Sequence, residues 1–178
     1  MGCPNDCVFC NQRTISGRQS FDVSTIEAQI DEALLTVSEN TESEIAFFGG
    51  SFTGIDRDLM IYLLDVAKRY TDSKMVGGIR LSTRPDYIDA EILDILSGYK
   101  INAIELGLQS MCDDVLSASK RGHNAEQAQK ASRLIKERGF ALVGQMMIGL
   151  PQSTVDKEIY TAKKYASLGL MPQEYIPR

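Results

Sequence analysis

Apolar positions along the chain alternate between two periods. Helical spacing puts Ile26, Ile30, Leu34 and Val37 on one face of a segment that opens near Ser24, where Ser24 and Glu27 read as a capping box. Residues 45–48 then form a short apolar run that stops at Gly49-Gly50. The helical period returns from Asp56, with Leu59, Leu63, Val66 and Tyr70 inward, and gives way to a strand over 79–83 that ends at Arg84-Pro85. A third helix starts at Asp89 and buries Ile92, Ile95 and Leu96, followed by a strand over 102–107. A short helix over 113–119 and a longer one from Asn124, burying Ala128, Ala131 and Ile135, lead to a strand over 140–148. A last helix from near Ser153 is expected to bury Ile159, Ala162 and Ala166.

Short buried strands alternating with amphipathic helices define an α/β fold with a parallel sheet and helices outside. A closed eight-fold barrel takes roughly 250 residues. This chain has 178, so an open, partial parallel β/α barrel is expected, as a single domain over residues 1–178. The unusual residues gather where the strands end: Gly49-Gly50-Ser51, 82–85, 105–109 and 145–151. Ligands bind at that carboxyl edge in parallel α/β folds. Any one of these clusters reads equally as strand punctuation; together they point to one shared site.

Charge and composition narrow the chemistry. A net charge of -5 argues against a general electrostatic grip on nucleic acid. No apolar run approaches a membrane span and no signal peptide is legible, so a cytoplasmic protein is expected. Of four cysteines, Cys112 stands alone, whereas Cys3, Cys7 and Cys10 crowd the first ten residues with the spacing C-x3-C-x2-C. Crowded thiols in such a chain read as metal ligands rather than disulfides. A cubane cluster takes four cysteines for full ligation, so three leave one iron open to a small molecule. Structural zinc is the rival, with Cys112 or His123, the one histidine, as distant fourth ligand. On spacing alone both stay open.

The phrase CPNDCVFCNQR resembles the radical S-adenosylmethionine (SAM) superfamily, in the branch of oxygen-independent coproporphyrinogen oxidases and the Elongator catalytic subunit. FFGGSFT, LSTRPDYID, IELGLQS with RGH, and QMMIGLP resemble successive landmarks of that family over almost the whole chain. The resemblance implies a [4Fe-4S] cluster on Cys3, Cys7 and Cys10 and SAM as second cofactor. It places Phe9 near adenine, Gly49, Gly50 and Ser51 against the methionine amino group, and Gln109 at the ribose or methionine end. Arg121 would pair with the SAM carboxylate, and Gln145 would contact the ribose. Ser82 departs from the pattern, since relatives often carry a glutamate there.

The function implied is reductive cleavage of SAM to a 5′-deoxyadenosyl radical that acts on a substrate, a small molecule or tRNA. The electron would come from a donor such as flavodoxin or ferredoxin. Only Met1 and Gly2 precede Cys3, and SLGLMPQEYIPR replaces the sixth strand expected of a relative. The reading therefore expects a core lacking its first and sixth strands, through truncation or a shifted reading frame. The alternative is an inactive remnant that holds iron-sulfur or zinc.

Overall fold

The computed structural model describes residues 5–10, 22–37 and 43–172. Its elements run α1 (Ile26–Leu34), β1 (Glu44–Phe47), α2 (Arg57–Asp72), β2 (Gly78–Thr83), α3 (Ala90–Leu96) and β3 (Ile101–Gln109). They continue with α4 (Asp113–Ala118), α5 (Ala125–Glu137), β4 (Leu142–Met146), α6 (Val155–Ser167) and β5 (Met171–Pro172). The strands form one sheet in sequence order, each parallel to its neighbour. This is the open parallel β/α architecture of a partial barrel. Among the described residues no strand precedes β1. At the other edge, where no sixth strand was expected, Met171 and Pro172 pair with Val143 and Gly144 of β4. None of the described helices is long and apolar enough to cross a membrane.

Strand alternation divides the sheet chemically. Ile79 and Leu81 of β2, Ile104, Leu106 and Leu108 of β3, and Leu142 of β4 pack with Leu63, Leu64, Leu93, Leu96 and Ile135 of the helices in one core. The intervening positions, Arg80, Ser82, Glu105, Gly107, Gln109 and Gln145, alternate with these core positions and define the opposite, polar face. A core on one face and polar groups on the other is what a barrel wall requires.

The helix starts are set by side-chain caps. Asp56 accepts from Leu59 N, Asp89 from Ile92 N and Thr154 from Lys157 N. Asn124 and Gln127 form a reciprocal capping box. The box expected at Ser24 and Glu27 is absent: Asp22 accepts from Ser24 N instead and opens a single 3-10 turn over Val23–Thr25. Val37 lies beyond α1, whose described positions are nowhere fully buried.

The inner face of α6 also differs from expectation. Ile159, Ala162 and Ala166 are exposed, and Thr161 and Tyr165 are buried. The reason is polar satisfaction. Thr161 Oγ1 accepts from the backbone N–H of Met111 at 3.1 Å, and Tyr165 donates to the Gln145 carbonyl at 2.9 Å. One buried and one half-buried backbone group near the sheet's carboxyl edge thereby gain partners, which an all-apolar face would not supply.

Candidate functional site

The cysteine segment sits on the carboxyl edge of the sheet. A turn closed by Cys10 N to Cys7 O at 2.9 Å folds the segment back between these two cysteines. Val8 N donates to Ser119 O at 3.2 Å, fastening the segment to the end of α4. Cys3 lies outside the described residues. The Cys7 thiol is buried, and two guanidinium groups reach it: Arg121 Nη1 at 3.4 Å and Arg84 Nη1 at 3.8 Å. Among the described residues no group of three or more His, Cys, Asp or Glu side chains is assembled for a metal.

Arg121 is held on three sides. Besides Cys7, its Nη2 donates to Gly107 O at 2.5 Å, and its Cζ lies 5.7 Å from the centroid of the Phe9 ring. Its Nε is buried with no hydrogen-bond partner among the described residues, and so is Gln109 Oε1. A buried polar atom left unpaired costs about 1–3 kcal/mol, so two at one place mark a site shaped for a polar ligand.

Gln109 itself is strained. It adopts φ 66°, at the point where the β3–β4 register shifts between Gly107 and Gln109. Non-glycine residues hold such backbone only when their surroundings enforce it, commonly at functional sites. Gly107 makes the niche between these side chains. A Cβ there would lie 3.1 Å from Gln109 Nε2 and 3.3 Å from Arg121 Nη2.

The β1 end contributes backbone. Gly49 takes φ 96°, and Ser51 is buried at the start of the turn Phe52–Gly54. Phe52 stacks on Phe47 with ring centroids 4.3 Å apart. Thr53 donates to Tyr87 O at 2.7 Å, so the 2.6 Å contact between Thr53 and Thr83 hydroxyls is donated by Thr83. The glycine turn is thereby tied to the end of β2.

Deeper on the polar face runs a ladder of charge. Arg80 bridges Glu44 at 2.8 Å and Glu105 at 3.4 Å. Gln145 Nε2 donates to Glu105 Oε2 at 2.8 Å. Burial pushes the Glu44 carboxyl upward, but hydrogen bonds from Arg80 and Asn102 outweigh it and hold it below its ordinary value. His123 is buried beside Arg121. Desolvation, reinforced by that guanidinium, lowers its pKa to about 4, so the imidazole is neutral at pH 7.

The expected residues thus divide. Cys7, Phe9, Gln109 and Arg121 converge; Gly49, Gly50 and Ser51 line the adjacent strand end; Gln145 is engaged by Glu105. Sequence reasoning gave no individual role to Arg84, which lies in LSTRPDYID, or to Gly122, which lies in RGH. The latter has φ 75°, and a Cβ on it would sit 3.0 Å from Asn5 Oδ1 and 3.1 Å from Arg84 Nη2. The signal for both was their place beside the motif residues Pro85 and Arg121.

A parallel β/α sheet of the barrel class thus carries cysteines, strained backbone and, among the described residues, unpaired buried polar atoms on its carboxyl edge. The chain belongs to the radical SAM superfamily, whose family model matches residues 1–163. An uncharacterized protein of Methanocaldococcus jannaschii is 30% identical over 179 residues, covering 92% of this chain and 53% of that protein. Elongator complex protein 3 of Schizosaccharomyces pombe is 32% identical over 105 residues, covering 57% of this chain and 19% of its own length. This chain therefore spans about half or less of these relatives. Among solved structures, Escherichia coli coproporphyrinogen III oxidase, a radical SAM enzyme, shares the fold at TM-score 0.70 and 19% identity, covering 94% of this chain and 40% of its own. An archaeal Methanocaldococcus infernus Elp3 lacking its N-terminus matches at TM-score 0.67 and 21% identity, over 82% of this chain and 38% of its own.

Proposed function

We propose that this chain is the core of a radical SAM enzyme that holds a [4Fe-4S] cluster on Cys3, Cys7 and Cys10 and binds SAM beside it. When bound, the cluster supplies the electron that cleaves SAM to methionine and a 5′-deoxyadenosyl radical. The observation that carries this reading is the Cys7 thiol under the Arg121 guanidinium, with Arg121 Nε and Gln109 Oε1 buried and lacking partners among the described residues. Those two atoms offer one donor and one acceptor, the pair an amino-acid head group requires.

In this reading Arg121 faces the SAM carboxylate, a match for a planar guanidinium. Gln109 takes the methionine or ribose end, and the backbone of Gly49, Gly50 and Ser51 approaches the methionine amino group. Phe9, stacked under Arg121, orders the cysteine segment and stands near adenine. Gln145 Nε2 donates to Glu105, which leaves the carboxamide oxygen and the second N–H for the ribose contact. The electron donor is of the flavodoxin or ferredoxin class, and the substrate radical forms at the same sheet edge.

The test is anaerobic reconstitution with iron and sulfide, followed by dithionite and SAM. Formation of 5′-deoxyadenosine and methionine supports the reading. A reconstituted, iron-bearing chain that forms neither contradicts it.

A further inference from the structure

Arg84 has a task that the binding of SAM does not use. We propose that Arg84 is a positioning and tuning residue of the cluster, holding the Cys7 sulfur by an N–H donor and raising the cluster's reduction potential. The inference rests on the reading that Cys7 is a cluster ligand. It goes beyond that reading in assigning a second cation to that ligand.

The geometry is specific to a guanidinium. Arg84 leaves the carboxyl end of β2 with a side chain only 4% exposed. A buried cation is costly unless it is paired and fully hydrogen-bonded. Asp86 pairs with one edge of the fork, Nε to Oδ1 at 2.9 Å and Nη2 to Oδ2 at 3.0 Å. That bidentate grip fixes the plane of the group. Nη2 also donates to the Arg121 carbonyl. The remaining corner, Nη1, lies 3.8 Å from Cys7 Sγ. Gly122 admits the arrangement, since a Cβ there would stand 3.1 Å from Arg84 Nη2. One group therefore joins the end of β2, the loop between α4 and α5, and the cysteine segment.

The two arginines differ in what else they hold. Arg121 lies over Phe9 and has a buried Nε with no partner among the described residues, so that edge is open to a ligand. Arg84 is clamped by Asp86 and directed at the Cys7 sulfur by protein contacts alone. Positive charge and hydrogen bonds at a ligand sulfur stabilise the reduced, more negative form of an iron-sulfur cluster. The step concerned adds one electron from an external low-potential donor, with no bond made or broken.

The experiment is a dithionite redox titration, monitored by electron paramagnetic resonance, on the reconstituted full chain and on Arg84→Gln. Iron and sulfide are measured on each. The variant is expected to keep a cluster but to titrate at a lower midpoint, the reduction equilibrium shifting about tenfold, or ~59 mV for one electron. A structural role alone would leave that midpoint in place. If Arg84→Gln fails to retain the cluster, Arg84→Lys decides. It keeps the charge but cannot span Asp86 and Cys7 together, so a smaller shift in the same direction is expected. An unchanged midpoint in whichever variant carries the cluster overturns the inference while leaving the cluster reading intact. A parent chain that takes up no iron overturns both.

Discussion

The Arg121 guanidinium lies over the Phe9 ring, its Cζ 5.7 Å from the centroid. Cation–π contacts of this kind contribute about 0.5–2 kcal/mol, most when desolvated. Phe9 sits between Cys7 and Cys10, so the contact couples the cysteine segment to the loop after α4, more than a hundred residues later in the chain. The same guanidinium reaches Cys7 Sγ at 3.4 Å. Thiol, aromatic and cation are thus one unit.

Removing that cation should separate cofactor binding from cluster binding. Arg121→Ala loses a charge-assisted contact worth about 1.5–3 kcal/mol. SAM affinity, measured anaerobically by calorimetry on the iron-loaded protein, is expected to fall roughly ten- to a hundred-fold. Equal affinity in variant and parent would remove Arg121 from the SAM site.

Gly122→Ala tests the seam between the cysteine segment and the α4–α5 loop. The position has φ 75°, and a Cβ there would press on Asn5 Oδ1 at 3.0 Å and Arg84 Nη2 at 3.1 Å. Left-handed backbone costs an L-residue roughly 1–2 kcal/mol, and the close contacts add to it. Chemical denaturation should show that loss, accompanied by poorer iron retention. Undiminished stability would mean the loop is held less tightly than these contacts imply.

His123 gives a pH signature. Its folded pKa of about 4 lies below the ordinary 6.5. Between these values the unfolded chain binds the extra proton, so stability rises with pH across that window and is lost as pH falls through it. The contribution is on the order of 2 kcal/mol. Denaturation at pH 4.5 and at pH 7 should therefore differ less in His123→Gln than in the parent. The same pH dependence in both would place the titration elsewhere.

The inner face of α6 is tested by a pair of substitutions. Thr161→Val leaves the Met111 N–H without the acceptor it has at 3.1 Å, a loss of about 1–3 kcal/mol. Ile159→Ala, on the exposed face, should change stability by about 0.5 kcal/mol or less. The reverse order would restore the apolar stripe as the buried one.

That pair also marks where sequence reading stops. The strands and most helix starts were legible because each rests on local physics: apolar runs for the strands, and the caps Asp56, Asp89 and Asn124 for the helices. Ser24 failed because Asp22, two residues earlier, competes for the same N–H. Thr161 and Tyr165 were missed because their burial serves backbone groups of other elements, which periodicity does not register. At the site, the cysteine, glycine and glutamine positions stood out by type and by their place at strand ends. Arg84 did not, because a charged residue before proline reads as exposed until Asp86 and Cys7 are seen on either side of it.

The most direct measurement is metal and sulfide content of anaerobically prepared protein across the cysteine series. The parent should be brown, with iron and acid-labile sulfide in near-equal amounts. Cys3→Ala, Cys7→Ala and Cys10→Ala should each lose both, while Cys112→Ala keeps them. The Cys112 thiol reaches the Lys157 carbonyl, and its backbone N–H donates to Ser110 Oγ within its own turn. A colourless parent holding stoichiometric zinc under iron-replete, anaerobic conditions would contradict the account.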